Sequence, residues 1–229
     1  AEEKKRGMTM QLGFVWMTGD DGRPIGIVDV PGHADYRLHT LTGASTVDAF
    51  MFTCAADDGW MPQSEEHLWA LSAFGVSHGV VVLTKKDLVD AARLAEIKSE
   101  LEVRFFEALG REIPVVPFAA PNADGVADVK AALARELAFL PQNKDVGRPQ
   151  MFVDRVFTVQ GQGTVVTGTL RDGCLGERQL IQVLPGGKKA QIRTVQSYGQ
   201  SVATAFPNSR VALQLAGLGV ADVPKDSQI

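Results

Sequence analysis

The segment Ile25-Gly26-Ile27-Val28-Asp29-Val30-Pro31-Gly32-His33 decides the fold class of this chain. An apolar run containing Val28 and Val30 stops abruptly at Pro-Gly, the pattern of a buried strand handing its last residues to a loop. Asp29 therefore sits at a strand's carboxyl end, the edge at which open α/β sheets bind ligands. A carboxylate followed three residues later by a glycine suits a magnesium-phosphate group. Asp29 can hold the hydrated cation, the Gly32 N–H can approach a phosphate oxygen, and His33 can orient a water for attack. The bland reading of an isolated D-x-x-G is an Asp cap followed by a turn.

Outward from this segment the chain alternates strand, loop and helix. Residues 11–17 and 25–30 are two β-rich runs joined by Gly19-Asp20-Asp21-Gly22, which predicts an antiparallel hairpin. A short helix is expected within 34–45 and a strand over 47–54, opening into Ala55-Ala56-Asp57-Asp58-Gly59 at the same sheet edge. Residues 64–74 are predicted helical, with Leu68, Leu71 and Phe74 on the buried face. The run Gly79 to Leu83, with three valines and a leucine, reads as a strand covered on both faces and leads into Thr84-Lys85-Lys86-Asp87. A helix over 90–109 should bury Leu94, Ile97, Leu101 and Phe105. A strand over 113–118, a loop at 121–125 and a helix over 126–139 follow. This order predicts an α/β domain with a mostly parallel sheet.

The pattern changes at Pro141 to Pro149, a short, polar, Pro-punctuated linker. Beyond it, β-type runs at 152–159, 164–170, 179–184, 190–196 and 210–216 alternate with Gly-rich turns at the spacing of a small antiparallel barrel. Gly161-Gln162-Gly163 lies between two of these strands with no helix after it, so it is hairpin glycine rather than a nucleotide fingerprint.

Composition narrows the class further. The 229 residues are 45% hydrophobic, enough for real cores, and the net charge of -4 gives no global basic field for nucleic acid, although a local patch remains open. The two cysteines, Cys54 and Cys174, lie in unrelated contexts and suggest no disulfide framework, which fits a reducing cytoplasm. No apolar run is long enough for a membrane anchor, and Ala1 to Arg6 is charged rather than signal-like.

Two strand-end motifs on one sheet reinforce each other. Asp87, placed at a buried edge, can accept from the N1–H and exocyclic amine of guanine, a pairing adenine cannot offer. Lys85 can lie along the base and tie neighbouring loops. In Phe118-Ala119-Ala120 the small residues let a backbone N–H reach the guanine carbonyl. With these residues in place the sequence resembles the translational GTPases. RGMT at 6–9 looks like their first switch, DVPGHADY at 29–36 their second, and TKKD at 84–87 their base-specificity motif. Within that group it is most similar to the selenocysteine-specific elongation factors, through EEKKRGMT, AADDGWMPQSEEHL at 55–68, LTKKDLVD at 83–90 and VDRVFTVQGQGTVVTG at 153–168.

The resemblance implies a GTP-binding domain of the P-loop GTPase type over 1–146 and a translation-factor barrel over 147–229. It implies Thr9 and Asp29 on Mg²⁺, Gly32 on the γ-phosphate, and His33 positioning the hydrolytic water. Around guanine it places Thr84, Lys85, Asp87 and the Ala119-Ala120 backbone. In the barrel it implies an aminoacyl pocket from Asp154, Arg155 and Arg210. A selenol ionises below neutral pH and serine's hydroxyl does not, so a cationic pocket can separate the two esters by charge. GTP or GDP, selenocysteinyl-tRNA and the ribosome are the implied ligands and partners, with the messenger RNA hairpin reached only through domains outside this chain. The bland reading of Asp154-Arg155 is a cross-strand surface ion pair.

A G-x-x-x-x-G-K-[ST] loop should precede the first switch, and this sequence has none. The expectation is weak GTP binding by the chain as written, in a fragment of a longer protein. The strand that carries this loop in the resembled fold lies between those at 25–30 and 47–54, so a slot is expected there. Arg37-Leu38-His39-Thr40 and Ala119 also depart from the family's usual residues. Two alternatives stay open: a non-hydrolysing RNA- or protein-binding module built on the same scaffold, and another elongation or initiation factor.

Overall fold

The structure is a computed structural model that describes residues 9, 12–19, 21–33, 36–140, 145–161, 163–224 and 227–229, with the backbone alone at 37–39. Of the RGMT segment only Thr9 is described, and Arg6, Gly7 and Met8 lie outside. The chain divides into two compact units that meet at 140–141, with Pro24–Gly26 grouped with the second.

The first unit contains two separate sheets among the described residues. Strands β1 (Gly13–Thr18) and β2 (Pro24–Asp29) form one, closed by a hydrogen bond from the Gly19 N–H to the Arg23 carbonyl. Gly13, which opens β1, lies against Asp29, which ends β2, as the antiparallel sense requires. The other sheet is parallel, in the order β3 (Phe50–Ala55), β4 (Gly79–Thr84), β5 (Val115–Pro117). β2 and β3 are not laddered to each other, the arrangement expected where a further strand of the resembled fold lies between them.

Helices α1 (Arg37–Ala44), α2 (Pro62–Ala73), α3 (Ala91–Leu109) and α4 (Val126–Ala138) complete the unit. Proline at its first position suits the start of α2. For α3 the Asp90 side chain accepts from the Arg93 N–H, and Gly110 ends the helix at φ 70°. One core lies between the sheet and α2 and α3, where Phe50, Phe52 and Trp60 pack around the fully buried Phe105. Val80 and Val82 point to the other face and meet α4. β4 is thus covered on both sides, as its valine run predicts. Phe74 breaks its expectation: it caps α2 and is 46% exposed, because the helix stops before the third step reaches the core.

Below the sheet, at the start of β4, Glu136 of α4 is buried and accepts two hydrogen bonds from Arg111, at 2.7 and 3.1 Å, with His78 beside it at 3.1 Å. This cluster ties α4 to the α3–β5 connection at the end of the sheet away from the ligand edge.

The second unit is a ring of antiparallel strands. β6 (Gln150–Val159) pairs β7 (Gly163–Arg171); β8 (Leu175–Gly176) pairs β12 (Thr204–Ala205). β9 (Leu180–Val183) pairs β10 (Lys188–Ser197), which also pairs β11 (Gln200–Val202) and β13 (Ser209–Ala216), and β13 returns to β7. Residues 227–229 close the ring between β9 and β6: Leu184 and Gln228 exchange hydrogen bonds, as do Met151 and Ile229. Met151, Val166, Leu170, Ile192 and Leu213 fill the interior. Cys54 and Cys174 are both free thiols. No helix among the described residues is long and apolar enough to cross a membrane.

Candidate functional site

The residues singled out in the first unit gather at the carboxyl ends of its strands, in two groups. The first surrounds the end of β2. The Thr9 hydroxyl lies 3.4 Å from Asp29 Oδ2, so two hard oxygen donors distant in sequence share one place. That donor set suits Mg²⁺, which takes one or two protein oxygens and completes its shell with water and phosphate. No cluster of three or more His, Cys, Asp or Glu exists among the described residues, so this pair would act with phosphate rather than as a closed cage.

Pro31 is buried, and its carbonyl accepts a 2.7 Å hydrogen bond from the Thr40 hydroxyl, which anchors the loop after β2 to α1. A Cβ on Gly43 would stand 2.3 Å from Val30 Cγ1, so only glycine lets α1 lie this close to the strand's end. Gly32 and His33 follow, both exposed, with the His33 ring 6.3 Å from that of Tyr36. They border a cleft of about 370 Å³ walled by Leu41 of α1 and Trp69 and Ala70 of α2. An imidazole at the rim of an apolar wall is well placed to hold a water while bulk solvent is kept to one side. His67 packs beneath, its Cε1 4.0 Å from where a Gly32 Cβ would stand and its ring edge-on to Phe52. Burial pushes its pKa below the ordinary histidine value, so it is a neutral support.

The second group lies at the ends of β3, β4 and β5. Thr84 turns its hydroxyl to the Cys54 carbonyl at 3.2 Å and stitches β4 to β3 instead of facing outward. Lys85 adopts a left-handed backbone, φ 57°, and its ammonium reaches Asp57 at 2.8 Å and Asp58 at 3.2 Å. The Asp57 and Asp58 hydrogen bonds raise the lysine pKa, and the Lys85 hydrogen bond lowers that of Asp57.

Asp87, in a single 3-10 turn over Lys86–Leu88, is exposed rather than at a buried edge, and no hydrogen bond to its carboxylate is found among the described residues. The reason is local: the turn carries it past the last sheet hydrogen bond, leaving both oxygens open to a ligand. In the β5 loop the Ala119 N–H donates to the Asp124 carbonyl at 2.9 Å, so of this pair the Ala120 N–H is the donor left open among the described residues.

In the barrel, Asp154 occupies a β-bulge. Val153 pairs Gly168 and Arg155 pairs Thr167, so Asp154 is the extra residue. Val153 faces the interior and Val156 packs against it, which places Asp154 and Arg155 consecutively away from the core. Arg210 of β13 reaches over β7 to grip Asp154, and Thr167 of β7 donates to the same carboxylate at 2.7 Å. The partner of Asp154 is therefore Arg210 two strands away, not its neighbour Arg155.

Asp57, Asp58, His67, Asp124 and Thr167 were not among the expected site residues. Only the acidic loop at 57–58 left a trace in sequence, as an opening at the same edge.

The family model for the elongation factor Tu GTP binding domain matches residues 1–142. The selenocysteine-specific elongation factor of Desulfomicrobium baculatum is 35% identical over 225 residues, 98% of this chain and 36% of that protein. The Escherichia coli (strain K12) selenocysteine-specific elongation factor is 35% identical over 218 residues, 94% of this chain and 35% of that protein. The chain thus spans about a third of the length of these curated relatives. Among solved structures, a bacterial selenocysteine-specific elongation factor, EF-Sec, superposes with a TM-score of 0.92 at 31% identity, over 99% of this chain and 39% of that one.

Proposed function

Because the chain belongs to the elongation factor Tu GTP-binding domain family, we propose that it is the switch and aminoacyl-binding portion of a GTP-dependent factor that delivers selenocysteinyl-tRNA to the ribosome. Residues 1–146 form its nucleotide domain and residues 147–229 its barrel. Asp87 and the Ala120 N–H read guanine. Lys85, held by Asp57 and Asp58, lies along the base. Thr84 supports them from behind by joining β4 to β3.

On the phosphate side, Gly32 approaches the γ-phosphate and His33 orients the attacking water against the apolar wall. Thr9 and Asp29 would hold Mg²⁺, which when bound neutralises phosphate charge. In the barrel, Asp154, Arg155 and Arg210 receive the aminoacyl end, where guanidinium groups favour a selenolate over a neutral serine hydroxyl.

The observation that carries the reading is the joining of three strand-end loops at one sheet edge: Lys85 to Asp57 on one side, and the Lys86 N–H to the Phe118 carbonyl at 3.2 Å on the other. The test is equilibrium titration with GDP and with ADP, first of this chain and then of the chain extended at its amino end by a G-x-x-x-x-G-K-[ST] loop segment. Guanine-selective binding that tightens on extension is expected. Equal affinity for both nucleotides in the extended protein overturns the GTPase reading in favour of a non-hydrolysing binding module.

A further inference from the structure

The loop after β5 is built around Asp124. Its carbonyl accepts from the Ala119 N–H, and its own N–H bonds to the Asn122 side chain at 3.2 Å. Gly125 then turns at φ 99°, where a Cβ would stand 2.5 Å from the Pro117 carbonyl oxygen. The loop base is therefore a tight unit that carries the open Ala120 N–H with it. Across from it, the Lys86 ammonium lies 2.8 Å from Asp124 Oδ2. Lys86 and Asp87 are consecutive in one 3-10 turn, so a restraint on Lys86 is a restraint on Asp87.

We propose that Lys86 and Asp124 form a latch that fixes the spacing between the two halves of the base site, Asp87 on one loop and the Ala120 N–H on the other. Asp124 is then a positioning residue for guanine. The inference rests on the guanine reading above. The pair is partly exposed, 23% for Lys86 and 55% for Asp124, so it adds little to folding stability. Its effect lies in geometry, because two donor and acceptor sites must meet one rigid base at once.

The test uses the chain extended at its amino end as above, with GDP and ADP as probes, followed by NMR so that even millimolar dissociation constants are measurable. Asp124→Asn keeps the side chain's shape and removes a negative charge near an anionic ligand. Electrostatics alone would make GDP bind more tightly. The latch predicts the opposite sign: binding about two- to fivefold weaker, with a smaller GDP-induced shift of the Ala120 amide proton and an unchanged melting temperature. Lys86→Met should weaken GDP binding, and the double variant should be no weaker than Lys86→Met alone. If Asp124→Asn binds GDP as tightly as the unsubstituted chain, or more tightly, the latch is overturned while the guanine reading stands. If the unsubstituted chain does not prefer GDP to ADP, the guanine reading fails and the latch falls with it.

Discussion

Arg210 grips Asp154 through both terminal nitrogens of its guanidinium, Nη1 at 2.5 Å and Nη2 at 2.8 Å, across the intervening strand that holds Thr167. Both side chains are about a quarter exposed or less. The carboxylate is therefore saturated by one arginine and one hydroxyl, and it holds the guanidinium in a fixed plane.

This fork makes the pair structural as well as charged. Asp154→Asn should lower barrel stability by about 1–2 kcal/mol in urea unfolding, and a double-mutant cycle with Arg210→Ala should return a coupling of similar size. In the delivery reading, Arg155→Ala and Arg210→Ala should each reduce the preference for selenocysteinyl- over seryl-tRNA. An unchanged ratio would assign the barrel to a different member of the family.

Acidification should destabilise the first unit in two stages. His67 is held below its ordinary value of 6.5 by burial, so its contribution is complete above that pH and is lost as pH falls further. Burial alone would raise Glu136, but hydrogen bonds from Arg111 and His78 more than reverse it, and its pKa falls below the ordinary 4.5. Its contribution is therefore present above about that pH and is lost as pH drops through the lower folded value. Urea unfolding between pH 8 and pH 3 reads both losses. Glu136→Gln should remove the second stage, at a cost at neutral pH of about 3 kcal/mol from the stranded Arg111.

Cys174 should be inert to alkylation. Burial and then its hydrogen bond to Asp145 raise the thiol to about 11. Only about one thiol in a thousand is then ionised at pH 8, against roughly a quarter of an ordinary cysteine. Iodoacetamide at pH 8 should modify folded protein slowly, and Asp145→Asn should speed the reaction at this residue.

What could be read in sequence was what short-range pattern encodes. The valine run of β4, the 3-4 spacing of Ile97, Leu101 and Phe105, and the turn glycines each carry their signal within a few residues. Phe74 misled because periodicity does not say where a helix stops. The links that organise the site were hidden for a different reason. Lys86 with Asp124, Arg111 with Glu136, and Arg210 with Asp154 are each separated by 25 residues or more, and a lone charged residue gives no sign of its partner. The bulge at Asp154 was equally silent, since a single extra residue changes no propensity, only the register.

The closure of the barrel by residues 227–229 makes that unit topologically cyclic. Met151 and Ile229 exchange hydrogen bonds at 2.7 and 2.9 Å, so the first and last staves stand side by side. The order in which the ring is threaded is then separable from its shape. A few glycines linking Ile229 to Gln150, with a new opening at Pro185-Gly186-Gly187, would preserve every ladder while moving both ends of this segment to the turn between β9 and β10.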